Sequence, residues 1–160
     1  MSNRNKLNNV IERRIEFLLT EVNSKNPNYD KSISMLMRLV SNFATIGEDG
    51  DSKKVKSKNR NISEEAKKIR DAKTSDEFHD LTINEHQLPL KDLWEWCIKE
   101  KEKLNTSDIW NKFCDYPFIT ITKEEDLKLN KIKKEKLTPE LRYKKAGIVI
   151  IRLDEKNDIL

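Results

Sequence analysis

Apolar residues recur at three- and four-residue steps in two runs near the N-terminus. This spacing places each run on one face of an α-helix. Residues 23–29, between the runs, are mostly polar and include Pro27, so the sequence predicts a helical hairpin over residues 1–46. We expect its apolar faces to pack on each other, on the rest of the chain or on a second copy, which makes the hairpin a candidate element for self-association. The runs are Leu7, Val10, Ile11, Ile15, Leu18, Leu19 and Val22, and then Ile33, Leu36, Met37, Leu39, Val40 and Phe43.

Glycine and proline are scarce, with three and four residues respectively among 160. Tight β-hairpins and phosphate-binding loops depend on glycine, and the sequence contains neither GxGxxG nor GxxxxGK[ST]. Hydrophobic residues make up 36% of the chain and charged residues 38%, so the core is expected to be small. We therefore predict a mostly helical α+β fold without a nucleotide site of the usual kinds.

The rest of the chain is predicted to form a linker followed by one small domain. Residues 47–61 combine two glycines with several lysines, a composition typical of a basic, flexible linker. Residues 62–160 are predicted to form a small α+β domain with a two- or three-stranded sheet, built from the β-prone segments 81–83, 118–122 and 147–153. Thr122 and Glu125 form the T-x-x-E pattern of a capping box, which predicts a helix directly after the middle strand.

The net charge of +4 is concentrated in two stretches. Residues 53–73 contain nine basic and three acidic residues, and residues 131–145 contain seven and two. Such stretches are typical of proteins that bind a polyanion such as nucleic acid, although a solvated charged face is the alternative. Tyr143 lies among basic residues, so we expect it to be exposed and available for base stacking. The candidate nucleic-acid-binding residues are Lys53, Lys54, Lys56, Lys58, Arg60, Lys131, Lys133, Lys134, Arg142, Tyr143, Lys144 and Lys145.

The two cysteines, Cys97 and Cys114, have aromatic neighbours and no CxxC spacing. They predict buried thiols, with neither a disulfide framework nor a zinc site. The N-terminus is polar, and no apolar run approaches the roughly 18 residues that a membrane helix needs. By exclusion we expect a cytoplasmic protein that contacts no membrane and carries no cofactor.

Both histidines have carboxylate neighbours, and the second lies in Ile83-Asn84-Glu85-His86-Gln87-Leu88-Pro89. This E-H-x-x-P segment resembles the first motif of the HNH, or His-Me finger, nucleases. The resemblance implies that His86 is the general base, that Glu85 supports it, and that Glu85 and Asn130 help to hold a divalent metal. The alternative is that Glu85 and His86 are a structural polar pair at the end of a strand.

Three short stretches, taken in their order along the chain, also resemble uncharacterised bacterial and phage proteins. They are Glu85–Pro89, Ile121–Asp126 and Arg142–Ile148. We weigh three functions. The first is a nucleic-acid-associated or interaction protein of a bacterium or phage, for example in host–phage conflict. The second is an HNH-like metal-dependent nuclease, and the third is a non-enzymatic inhibitor or adaptor that docks a protein partner through the hairpin.

Overall fold

The computed structural model describes residues 6–153, so the outermost residues of the predicted hairpin and domain, 1–5 and 154–160, lie outside the described part. A 3-10 helix, Lys133–Glu135, accompanies the regular elements. Those elements are α1 (Asn9–Val22), α2 (Lys31–Ile46), α3 (Ser52–Lys58), β1 (Asn61–Ser63), α4 (Glu64–Ala72), α5 (Ser75–Leu81), β2 (Thr82–Glu85), α6 (Leu90–Glu100), α7 (Thr106–Asp115), β3 (Ile119–Thr122), α8 (Lys123–Lys131), α9 (Pro139–Ala146) and β4 (Ile150–Arg152).

The mostly helical α+β fold predicted from the sequence is confirmed, with a small mixed sheet in the order β2-β3-β1-β4. Strands β1 and β3 are parallel, with Ile62 opposite Thr120, whereas β2 and β4 each run antiparallel to a central strand. The described residues thus form four strands, where two or three are predicted from the sequence. The additional strand is β1, whose three residues are too few to show the alternation that marks a strand in a sequence.

The chain divides into two compact units, and the division differs from the predicted boundaries. The first unit joins residues up to Gly50 with Leu88–Pro117, and the second joins Asp51–Gln87 with residues from Phe118 onward. Residues 88–117, predicted to belong to the α+β domain, therefore pack with the hairpin. The predicted linker includes helix α3, which begins at Ser52, is capped by Asp51 and buries Val55.

The first unit is built around the predicted helical hairpin. Asn8 and Asp30 each cap a helix by accepting a hydrogen bond from a backbone amide, and Gly47 ends α2 at φ 77°. The faces that α1 and α2 bury form one core with α6 and α7, and each fully buried aliphatic side chain contributes roughly 1.5–3 kcal/mol. The central members of this core are Ile11, Ile15, Leu18, Val22, Met37, Val40, Leu93, Trp94, Ile109, Trp110 and Phe113.

The second unit contains two arms in which two α-helices lie between two strands, and the second arm has an additional 3-10 helix. We define the first arm as β1-α4-α5-β2 and the second arm as β3-α8-3-10-α9-β4. In each arm a hydroxyl at the end of the first strand caps the next helix, Ser63 in one and Thr122 in the other. A threonine then caps the later helix, Thr74 in the first arm and Thr138 in the second. Helix starts in both arms are thus fixed by local side-chain chemistry.

The buried carboxylate of Glu125 joins the two arms. Its Oε2 atom accepts hydrogen bonds from the Thr122 amide at 2.9 Å and from the Ser63 hydroxyl at 2.6 Å. The Thr122–Glu125 capping box predicted from the sequence is therefore present. Because Ser63 caps α4 in the first arm, one carboxylate serves the adjacent starts of two helices, where the helix dipoles favour negative charge.

Candidate functional site

Glu85, the last residue of β2, is buried and uses both carboxylate oxygens. Arg142 Nη2 donates to Oε1 at 2.6 Å, and the Tyr143 hydroxyl donates to Oε2. Both donors come from α9 of the second arm, so the pairing holds this helix against the end of β2. A buried carboxylate with a guanidinium and a phenol as partners has its hydrogen-bonding needs largely met.

The protonation preferences of this cluster follow from burial. Burial is the largest influence on Glu85 and raises the pKa of its carboxyl, while the Tyr143 hydrogen bond and the Arg142 charge lower it. Burial and the neighbouring Glu85 charge raise the pKa of the Tyr143 phenol. Tyr143 therefore stays protonated as a donor, and the cluster is suited to holding α9 in place.

Arg142 extends this attachment to the backbone. Its Nη2 also donates to the carbonyl oxygens of His86 and Gln87, each at 3.2 Å, and its side chain is only 14% exposed. The expectation that Tyr143 is exposed is wrong, because its ring is buried and its hydroxyl is bound to Glu85. Any role of these two residues in binding nucleic acid would have to compete with contacts that they already make.

His86 and Asn130, to which the HNH resemblance gives catalytic and metal-binding roles, contact different residues. The His86 ring is half-buried and lies edge-to-face on Phe118, with 4.4 Å between the ring centroids. The Asn130 amide donates to Asp126 within α8 at 3.2 Å. Among residues 6–153, no three His, Cys, Asp or Glu side chains form a group that could hold a metal ion. The nuclease roles of His86, Glu85 and Asn130 stay predictions.

Part of the first basic stretch is paired with carboxylates or buried. Lys53 forms an ion pair with Asp76. The Lys56 ammonium is inside the unit, where it donates to the carbonyl oxygens of His79 at 2.8 Å and Thr82 at 2.6 Å, and burial lowers its pKa. Lys54 and Arg60 are half-buried, and Lys58 is exposed. Farther along, Lys67 pairs with Asp71 and Lys68 with Glu65.

The second basic stretch remains at the surface. Every lysine between residues 123 and 146 is exposed, and Lys145 among them forms an ion pair with Glu135. Helix α8 contacts both the 3-10 helix and α9, so these lysines belong to one packed group of helices. We call this set the second-arm lysines: Lys123, Lys128, Lys131, Lys133, Lys134, Lys136, Lys144 and Lys145.

Three members of that set, Lys123, Lys128 and Lys136, were not among the residues predicted from the sequence. Two of these lysines, Lys123 and Lys128, lie in α8. The helix buries Glu125 and Leu129, four residues apart, and this spacing in the sequence indicates that both lysines lie on other faces. Lys136 ends the 3-10 helix with φ 50°, a left-handed conformation that sequence spacing does not reveal.

In the described residues, no helix has both the length and the apolar character needed to cross a membrane.

Comparisons with known proteins assign no function to this site. No protein-family model, curated protein or solved structure matches the chain.

Proposed function

We propose that this protein binds nucleic acid through the second-arm lysines. The observation that carries the proposal is the exposure of all eight lysines on one packed group of helices. Exposed ammonium groups neutralise phosphates and release counterions, which supplies most of the affinity in sequence-independent binding. The first basic stretch is a weaker candidate, since Lys53, Lys67 and Lys68 are paired with carboxylates and Lys56 is buried, whereas in the second arm the pairing described joins Lys145 to Glu135.

The position of α9 supports the proposal. Arg142 and Tyr143 hold this helix to Glu85 and thereby fix the backbone that carries Lys144 and Lys145. A fixed array of charges loses less conformational freedom on binding than the same lysines on a mobile segment. The buried cluster is thus a support for the binding surface, and the lysines around it make the contacts.

The test compares two triple variants that change the net charge equally. Lys131, Lys134 and Lys144, one from each helical element of the second arm, are replaced by Gln in the test variant; Lys53, Lys67 and Lys68 are replaced by Gln in the control. Binding to a labelled 20-base-pair duplex is followed by fluorescence anisotropy across a salt series, with magnesium or with EDTA. We expect the slope of log affinity against log salt to fall by about 1 per contacting lysine in the test variant only.

Equal losses in the two variants would contradict the proposal, since net charge alone would then account for binding. Failure of the unmodified protein to bind at low salt would also contradict it. Running the magnesium samples on a denaturing gel reports any cleavage, and His86→Ala then tests the predicted nuclease directly.

A second candidate is a protein-binding or self-association function of the hairpin. Within the described part of the hairpin, four large apolar side chains are exposed, Val10 and Phe17 on α1 and Met35 and Leu39 on α2, and Phe17 is 53% exposed. Phe17→Glu is expected to leave folding intact and to convert any dimer into monomer, measured by light scattering after gel filtration. A monomer at all concentrations before substitution would contradict self-association.

A further inference from the structure

The second arm offers no exposed aromatic ring on which an unpaired base could stack. Tyr143 is the single aromatic residue between positions 123 and 146, and it is 6% exposed with its hydroxyl bound to Glu85. Stacking on aromatic side chains supplies roughly 1–3 kcal/mol per base in proteins that bind single strands. A surface without such rings lacks the main source of affinity for single-stranded bases.

The same arm also lacks a guanidinium that is available to read a base edge. Arg142 is its one arginine before β4, and that side chain donates to Glu85 and to two backbone carbonyls. Lysine ammonium groups are point charges without the planar fork that recognises guanine with two parallel hydrogen bonds. The exposed groups of the arm that attract phosphate are therefore its lysines, which lie among exposed glutamates and the apolar side chains of Leu127, Leu141 and Val149.

Resting on the proposed function, we infer that the second-arm lysines bind the phosphates of duplex nucleic acid without regard to base sequence. A duplex presents one phosphate charge about every 1.7 Å along its axis, and more counterions are released per contact than from a single strand. A surface that recognises only charge therefore favours the duplex. Ammonium groups do not distinguish the sugar, so duplex DNA and duplex RNA are bound alike.

The experiment measures Kd at one low salt concentration for probes of equal length. The probes are two DNA duplexes of unrelated sequence, one RNA duplex, and the separate strands of the first DNA duplex. We expect the three duplexes to agree within about threefold and each single strand to bind at least about fivefold more weakly. The Lys131, Lys134 and Lys144 triple variant should weaken binding to all duplexes by the same factor.

Equal or tighter binding of a single strand would overturn the inference, as would a preference of more than about tenfold for one duplex sequence or for one sugar. These outcomes leave the proposed function intact, since each still requires binding. Absence of binding to every probe would instead remove the proposed function and this inference with it.

Discussion

The two arms of the second unit follow one plan, but they differ in what their charges contact. Both begin with a strand that ends in a capping hydroxyl, Ser63 or Thr122. In the first arm and the adjoining α3, four lysines meet carboxylates or enter the interior, as Lys53 and Lys56 do. In the second arm every lysine is exposed, and Lys145 pairs with Glu135. A count of basic residues therefore does not measure the charge available to a ligand, because pairing depends on the fold.

Loss of Arg142 should have the largest effect of the changes that test this difference. Arg142→Met removes the cationic partner of buried Glu85 and the donor to two carbonyls, so the free energy of unfolding should fall by about 3–5 kcal/mol. Urea denaturation followed by circular dichroism measures the change. Lys144→Met, on the same helix but exposed, is the control and should alter stability by no more than about 0.5 kcal/mol.

A second substitution, at Glu85, tests whether the unpaired carboxylate causes the loss of stability. Combining Arg142→Met with Glu85→Leu removes the uncompensated carboxylate, so the double variant should be more stable than Arg142→Met alone. If Arg142→Met lowers the free energy of unfolding by less than about 1 kcal/mol, the contacts of Glu85 with Arg142 and Tyr143 do not hold α9 in place.

Removing a helix cap should lower the free energy of unfolding by an intermediate amount, and by more for a buried cap than for an exposed one. Ser63 accepts from the Ala66 amide and donates to buried Glu125, so Ser63→Ala should cost about 2 kcal/mol. Thr138 is an exposed cap in the second arm, and Thr138→Ala should cost about 0.5–1 kcal/mol. Chemical denaturation at one temperature measures both, and equal costs would show that the Ser63–Glu125 hydrogen bond adds nothing to the cap.

The smallest effect concerns the pH dependence contributed by Lys56. Because burial lowers the pKa of this ammonium below its ordinary 10.5, the unfolded chain binds more protons between the lowered value and 10.5. The free energy of unfolding should therefore rise with pH in that window, by at most about 1.4 kcal/mol per pH unit. Lys56→Met should remove this rise, and exposed Lys58→Met should leave it unchanged. Identical slopes for the two variants would refute the assignment.

Local features of the fold could be predicted from the sequence, and distant pairings could not. The hairpin and the Thr122–Glu125 capping box depend on residues a few positions apart, so their spacing identified them. Glu85 and Arg142 are separated by 57 residues, and nothing in either neighbourhood indicates the other. The burial of Lys56 was missed for a related reason, because its carbonyl partners lie beyond β1 and α4.

The sheet pairing also determines the order in which the chain can complete its units during synthesis. Strands β1 and β2 pair with β3 and β4 rather than with each other, and β3 follows residues 88–117. When a ribosome has released the chain as far as Pro117, the first unit has all its segments. At that moment β1 and β2 still lack every strand partner, and their unpaired edges are open to other chains. We therefore expect the hairpin unit to be completed first, and the sheet to close only after the residues from Phe118 onward have been released.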